Sequence, residues 1–276
     1  MKTLSPLRYP GGKSKIYKKV KEIIEINFTY PPVYAEAFAG GAALALKLLI
    51  EGVVKEVHIN DLDDSIYSFW YLLKNHKDIL IEKINTTEIT IDEWINQKRI
   101  YMNKESNVVD KGFATFFLNR TNRSGVLSAG PIGGKLQNGN YKIDCRFNKV
   151  VLIDLINLIS QFSDRINIYN LEANAFISEI DNKFNNSIIY LDPPYVRQGP
   201  NLYLNHLDEQ DHRLLGYHVS LLKNKWFITY DNNPLVHEIY QDYYSELFDI
   251  NYSLARKRVE QEIFIYSDTI DRFDQF

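Results

Sequence analysis

Residues 33–63 constrain this chain most. VYAEAFA (33–39) is a short apolar run that ends in Gly40-Gly41. AALALKLLIEG (42–52) follows at once, reads as a helix, and is closed by Gly52. EVHINDLD (56–63) reads as a second strand. A strand, a glycine turn, a helix and a strand within about thirty residues make a βαβ unit, which commits the chain to a parallel sheet covered by helices.

The alternation stops and then resumes. From about residue 65, with a cap at Ser65, the sequence reads as helical up to about Leu118. The stretch SAGPIGGKLQNGNYKID is rich in turns, and its Asn138-Gly139 pair between polar-apolar runs signals a hairpin. From about residue 150, VVLIDLINLISQF reads as a helix, RINIYNL as a strand, AFISEIDNKF as a helix and SIIYLDPPY as a strand entering a loop. WFITYDN and EIFIYSD read as further buried strands. The expected architecture is α/β: a doubly wound sheet from residues 1–64 and 150–276, interrupted at 65–149 by a mostly helical insertion carrying a β-hairpin. No internal repeat or low-complexity tract interrupts this pattern.

At 276 residues, 45% hydrophobic and 24% charged, the chain suits one soluble domain with a sizeable insertion. It has no apolar run of about 18 residues and no signal-peptide core, so no membrane partner is expected and a cytoplasmic location is. The single cysteine, Cys145, offers neither a disulfide framework nor a zinc-site pattern, and no metal is expected. A net charge of −3 excludes a uniformly basic nucleic-acid binder. The cations are nevertheless grouped. Lys2, Arg8, Lys13, Lys15, Lys18, Lys19 and Lys21 form one island; Lys111, Arg120, Arg123, Lys135, Lys142, Arg146 and Lys149 form a second; Arg256, Lys257 and Arg258 form a third. Brought together, they would make an electropositive face.

Asp192-Pro193-Pro194-Tyr195 carries the strongest chemical signal. A carboxylate at the C-terminal edge of a parallel strand lies where open α/β sheets bind ligands. The prolines hold the backbone extended, which leaves the Pro193 carbonyl outside helical hydrogen bonding. An exocyclic amine is a poor nucleophile because its lone pair is delocalised into the base. Acceptors on both N–H bonds, from Asp192 and the Pro193 carbonyl, would pull the nitrogen toward tetrahedral geometry. Tyr195 offers a face for stacking the base, worth roughly 1–3 kcal/mol. Gly40 lets a ligand approach the backbone closely, and Asp61, ending the second strand, can accept from ribose hydroxyls. The glycines do not match the dinucleotide fingerprint, so a ligand with adenosine but no pyrophosphate, such as S-adenosylmethionine, fits. In the N-terminal segment, Tyr9 could stack on a ligand and Lys13 could hold a carboxylate.

YPGGKSK, EAFAGGAAL, INDLD, LNRTNRSG and LDPPY, in that order, resemble the Dam-like (alpha group) DNA adenine methyltransferases from about Leu7 to Tyr266. The resemblance implies a Rossmann-like class I methyltransferase sheet with a target-recognition domain inserted after the second strand. It implies transfer of a methyl group from S-adenosylmethionine to a flipped adenine in duplex DNA. It assigns Tyr9, Gly12 and Lys13 to the cofactor's methionine end, Phe38 and Gly40 to the glycine loop, Asp61 to the ribose, and Glu172 and Ala173 to the border of its adenine. It assigns Asp192, Pro193, Pro194 and Tyr195 to catalysis. The family usually has Pro where Ala37 stands and Gly where Ala42 stands, which bears on cofactor affinity. For DNA, the candidates are Arg8, Asn119, Arg120, Asn122 and Arg123, with Lys135 and Lys142 on phosphates. Arg suits guanine and Asn suits adenine. A monomer is expected, with any cognate restriction endonuclease acting separately. The competing readings are an RNA methyltransferase and a regulator that binds cofactor and DNA without transfer.

Overall fold

An amphipathic helix, α1 (Tyr17–Asn27), precedes the βαβ unit, which forms as β1 (Val33–Glu36), α2 (Ala43–Ile50) and β2 (Glu56–Asn60), with β1 and β2 parallel. The architecture is that of a computed structural model, in which residues 4–8, 16–196, 207–252 and 258–271 are described. The chain divides into two compact units: the described residues of Lys13–Asp63 with Arg165–Phe276, and those of Met1–Gly12 with Asp64–Asp164.

The first unit holds the sheet. Five elements follow β2 in it after the other unit's helices: β3 (Ile166–Tyr169), a helix at Ala173–Lys183, β4 (Ser187–Leu191), a helix at Glu209–Ser220 and β5 (Lys225–Asp231). A short helix, Pro234–Ile239, and the antiparallel pair β6 (Ser245–Tyr252) and β7 (Arg258–Tyr266) complete it. The strand order is β3-β2-β1-β4-β5-β7-β6, with β7 alone running opposite to the other strands. Every residue of β1 and β4 is buried, as strands covered on both faces require. The two-residue period sorts their side chains. Ala35, Ile189, Leu191, Trp226 and Ile228 join Phe176, Ile177, Ile180, Leu215 and Val219 of the two long helices in one apolar cluster. Among the alternate residues, Tyr190 stacks on Phe227 at 4.6 Å and Phe227 on Phe264 at 5.1 Å. Winding reverses between β1 and β4, so their C-terminal ends flank the crevice where such sheets bind ligands.

The second unit is helical: α3 (Asp64–Asn75), α4 (Lys77–Thr86), α5 (Ile91–Met102), α6 (Val108–Thr121) and α7 (Lys149–Ser160). Continuing in chain order, α8 is Ala173–Lys183, α9 Glu209–Ser220 and α10 Pro234–Ile239. α3 begins at Asp64, one residue before the expected cap. Thr90, Asn107 and Asn148 supply side-chain caps to the backbone N–H of Glu93, Asp110 and Val151. α3 and α6 meet at Gly112, where a Cβ would lie 2.4 Å from the Ser68 carbonyl oxygen. Phe69 and Phe116 stack beside that contact at 5.6 Å, and Phe147 meets Phe116 edge-on. The compact unit extends past the expected boundary at residue 149. α7 belongs to it because Leu152, Ile156 and Ile159 are buried, and Lys149 Nζ donates to the Asn85 and Thr87 carbonyls at the end of α4.

The expected β-hairpin is not formed. Residues 126–148 contain turns, and the pairing is limited to an isolated bridge, Asn122 with Pro131. The Gln137 side chain donates to the Ile132 and Gly134 carbonyls and accepts from Ile143 N–H, folding the segment upon itself. Gly139 N–H donates to the Gly133 carbonyl at 3.3 Å. Asn138-Gly139 thus closes a local loop, and side-chain bonding replaces a ladder.

Candidate functional site

At the ends of β1 and β2, the backbone is held by Asn60, a fully buried amide. Its Nδ2 donates to the carbonyls of Ala37 and Leu171, each at 3.0 Å, and its Oδ1 accepts from Leu171 N–H at 2.9 Å. One side chain therefore ties the loop after β1 to the loop after β3. Gly40, at φ 47°, turns its N–H onto Asp61 Oδ2 at 2.8 Å, and Asp63 N–H donates to Oδ1 at 2.9 Å. Burial pushes the Asp61 carboxyl up to about 7; the N–H groups of Asp63 and Gly40 oppose it, and the charge of Asp63 adds slightly. Ala42 sits at φ 45°, ψ 29°, a left-handed conformation that favours glycine, and it caps α2 without a side-chain bond. Glycine's usual place in the resembling family is therefore a conformational requirement that this chain meets with strain.

Phe38 packs partly buried against the apolar cluster beside this loop. Glu172 is exposed at the N-cap of α8, and Ala173 is that helix's first residue. Gly40, Asp61, Phe38, Glu172 and Ala173 thus lie at the ends of adjacent strands β1, β2 and β3. Tyr9, Gly12 and Lys13 lie outside the described residues.

Asp192 follows β4, and Thr229 of β5 donates to its Oδ1 at 2.8 Å. The Tyr190 hydroxyl lies 2.8 Å from Thr229 Oγ1. Pro193 and Pro194 are buried, and Asp231 Oδ1 accepts from Val196 N–H at 3.1 Å, pinning the segment beyond them. Tyr195 departs from expectation: it is 9% exposed and belongs to the apolar cluster, so its stacking face is largely covered.

In the helical unit, Asn119 and Asn122 are buried, and their amides serve the chain itself. Asn119 accepts from Arg8 N–H and donates to the carbonyls of Arg8 and Gly125. Asn122 accepts from Trp94 Nε1 at 2.7 Å and donates to the carbonyls of Val126 and Leu127. Neither amide is presented to a base edge, which corrects the reading from residue type; burial within α6 and its end was not visible in LNRTNRSG. Arg120 is half-buried, its guanidinium donating to the Arg146 and Pro6 carbonyls. Desolvation, then Arg8 and Arg146, push it down to about 10, so it remains charged at neutral pH. Arg8 is lowered too, by burial and then by Arg146. Among the described residues no carboxylate forms an ion pair with Arg8, Arg120 or Arg146. Two basic islands far apart in sequence thus meet. Arg123, Lys135 and Lys142 are exposed, and Lys142 Nζ donates to the Gln137 carbonyl. Of the third island, Arg256 and Lys257 lie outside the described residues.

Asn60, Tyr190, Thr229 and Arg146 were not singled out from the sequence as site residues. Asn60 had a signal, a polar residue inside a buried strand. Thr229 had none, because its place opposite Asp192 follows only from the β4–β5 register.

A sheet of this order, with its single reversed strand, a glycine loop after β1 closed by an acid after β2, and an acid with two prolines after β4, defines a methyltransferase-type α/β protein. The family model of the D12 class N6 adenine-specific DNA methyltransferase matches residues 9–256. The chain belongs to that family and is an adenine-specific DNA methyltransferase. It is 27% identical over 203 residues to the type II methyltransferase M.MjaIII of Methanocaldococcus jannaschii, an alignment covering 68% of each chain. Among solved structures, the rRNA methyltransferase aviRa from Streptomyces viridochromogenes is similar at a TM-score of 0.44 and 10% identity, over 97% of this chain and 89% of its own. PH1948 from Pyrococcus horikoshii gives 0.45 and 9%, over 95% and 86%.

Proposed function

We propose that the crevice at the ends of β1, β2 and β4 binds S-adenosylmethionine and a flipped adenine, and that Asp192 activates the adenine amine. The observation that carries this reading is the placement of Asp192 at the switch point of the sheet, on the strand next to the loop that Asp61 closes. The residues present fit the cofactor. Asp61 uses one hydrogen bond on each oxygen for the chain, which leaves lone pairs for ribose hydroxyls. Asn60 holds the two flanking loops open at fixed spacing. Phe38, Glu172 and Ala173 would border the adenine ring, while Tyr9, Gly12 and Lys13 would serve the methionine end. When bound, S-adenosylmethionine supplies a methyl group carried on a sulfonium.

Asp192 and the Pro193 carbonyl accept the two N–H bonds of the adenine amine, draw the nitrogen lone pair out of conjugation, and Asp192 takes up the proton released. An amine inside a base pair is out of reach of a carboxylate fixed at the end of a strand, so the base leaves the stack. Stacking on Tyr195 requires the groups that cover its ring to move aside as the base enters. Arg8, Arg120 and Arg146 hold phosphates, with Lys135 and Lys142, and Arg123 is the candidate for base contact. A cognate restriction endonuclease, where present, acts separately.

Asp192→Ala tests the reading. Methylation of duplex DNA is expected to vanish while calorimetry shows cofactor binding intact. Substantial turnover by this variant refutes the role of Asp192.

A further inference from the structure

We propose that Thr229 is a positioning residue for the transfer step, holding the Asp192 carboxylate through a relay that begins at Tyr190. The proposal rests on the reading of Asp192 above and deepens it. The β4–β5 register pairs Tyr190 with Phe227 and Leu191 with Ile228. One step further along, Thr229 stands opposite Asp192, and the two-residue period puts Tyr190, Asp192 and Thr229 on the same face.

The direction of the relay follows from counting protons. An ionised Asp192 carboxylate only accepts, so the single Thr229 hydroxyl proton lies in the 2.8 Å bond to Oδ1. That same oxygen must then accept at its other contact, so the Tyr190 hydroxyl, 2.8 Å away, donates to it. Tyr190 and Thr229 are both fully buried, where water does not compete. Thr229 is β-branched, so its hydroxyl is fixed by a stiff side chain on a central strand. Tyr190 is fixed by its stack on Phe227. A carboxylate gripped at one oxygen by such a pair does not rotate freely about its Cβ–Cγ bond. Its acceptor direction toward an incoming amine is set before the base arrives, which is the geometry-dependent part of catalysis.

The test compares T229V, T229S and Y190F with the wild type, in single-turnover methyl transfer to duplex DNA under saturating cofactor and DNA. T229V keeps the shape and removes the hydroxyl. Its rate constant is expected to fall about 10- to 100-fold, the effect of one lost bond to a charged group. Cofactor affinity by calorimetry and the KM for DNA are expected to stay within about twofold, about 0.4 kcal/mol. T229S, which keeps the donor, is expected to restore most of the rate, and Y190F to slow transfer less than T229V. A T229V rate equal to wild type overturns the proposal. So does a rate lost equally in T229S, or one lost together with cofactor affinity, since either marks a purely structural role. Should T229V not fold, T229S and Y190F carry the test: a Y190F at wild-type rate overturns the relay. A wild-type chain that transfers nothing to duplex DNA refutes the proposed function and the relay with it, whereas an active wild type beside an equally active T229V refutes the relay alone.

Discussion

Lowering the pH from 8 to 6 should weaken cofactor binding about tenfold, through Asp61. Burial raises its carboxyl from an ordinary value of 3.8 to about 7, against the opposing N–H groups of Asp63 and Gly40. Ribose hydroxyls donate most strongly to the charged form. With a folded-state value of about 7, the ionised fraction is about 0.9 at pH 8 and about 0.1 at pH 6, a tenfold loss of competent protein worth about 1.4 kcal/mol. Binding near pH 7 should release about half a proton, since it draws Asp61 into its charged form. Calorimetry in two buffers of different ionisation heat measures both quantities. The cofactor's own amino group titrates at about 8 in model compounds, so the series is repeated with 5′-methylthioadenosine, which lacks the amino acid. Asp61→Asn should bind weakly at every pH and lose the dependence. The sign for stability is opposite. A raised carboxyl value means that the folded, cofactor-free protein binds more protons than the unfolded chain between about 4 and 7, so this contribution is present at low pH and lost as pH rises through about 7. Asp61→Asn should therefore flatten the fall in melting temperature between about pH 4 and 7. A wild-type dissociation constant for 5′-methylthioadenosine that is unchanged from pH 6 to 8 would show that Asp61 does not gate cofactor binding.

Gly112→Ala should destabilise the helical unit by about 1–3 kcal/mol, because the new methyl meets a backbone carbonyl 2.4 Å away; an unchanged thermal melt contradicts the α3–α6 contact. Asn119→Ala should cost about 1–3 kcal/mol of stability by leaving the buried Gly125 carbonyl and the part-buried Arg8 backbone groups unpaired, with the methylation motif of the surviving enzyme unchanged; a relaxed motif at full stability would return Asn119 to base reading. Arg123→Ala should relax preference at one base pair in sequenced methylation products, whereas Lys135→Ala should weaken all DNA alike and lower the salt slope by about one. A 2-aminopurine at the target position should brighten on binding, and no change would argue that the base stays stacked.

The sheet was legible because apolar runs of four to seven residues with glycine punctuation have few other solutions. The βαβ unit at 33–61, the strand before Asp192 and the return of alternation after 150 all stand in the structure. What failed was chemistry decided by burial and register. Asn138-Gly139 is a hairpin signal, yet the Gln137 side chain captures the backbone groups a ladder would use. Asn119 and Asn122 have the donors and acceptors of base readers, but α6 and its C-cap turn both inward, where Arg8, Gly125 and Trp94 use them. Tyr195 has the ring for stacking, but that the apolar cluster covers its face before a base enters is set by packing that the motif does not encode. The meeting of Arg8 with Arg120 and Arg146 spans more than 110 residues, and no local pattern encodes it. Thr229 was invisible for the same reason: its meaning depends on the strand beside it.

The most direct test of the account is mass-spectrometric analysis of nucleosides from duplex DNA incubated with S-adenosylmethionine and either the wild type or Asp192→Ala. N6-methyladenine is expected from the wild type, at one short sequence context on mapping, and none from Asp192→Ala although that variant still binds cofactor. N6-methyladenine produced equally by both proteins, or by neither, would contradict it.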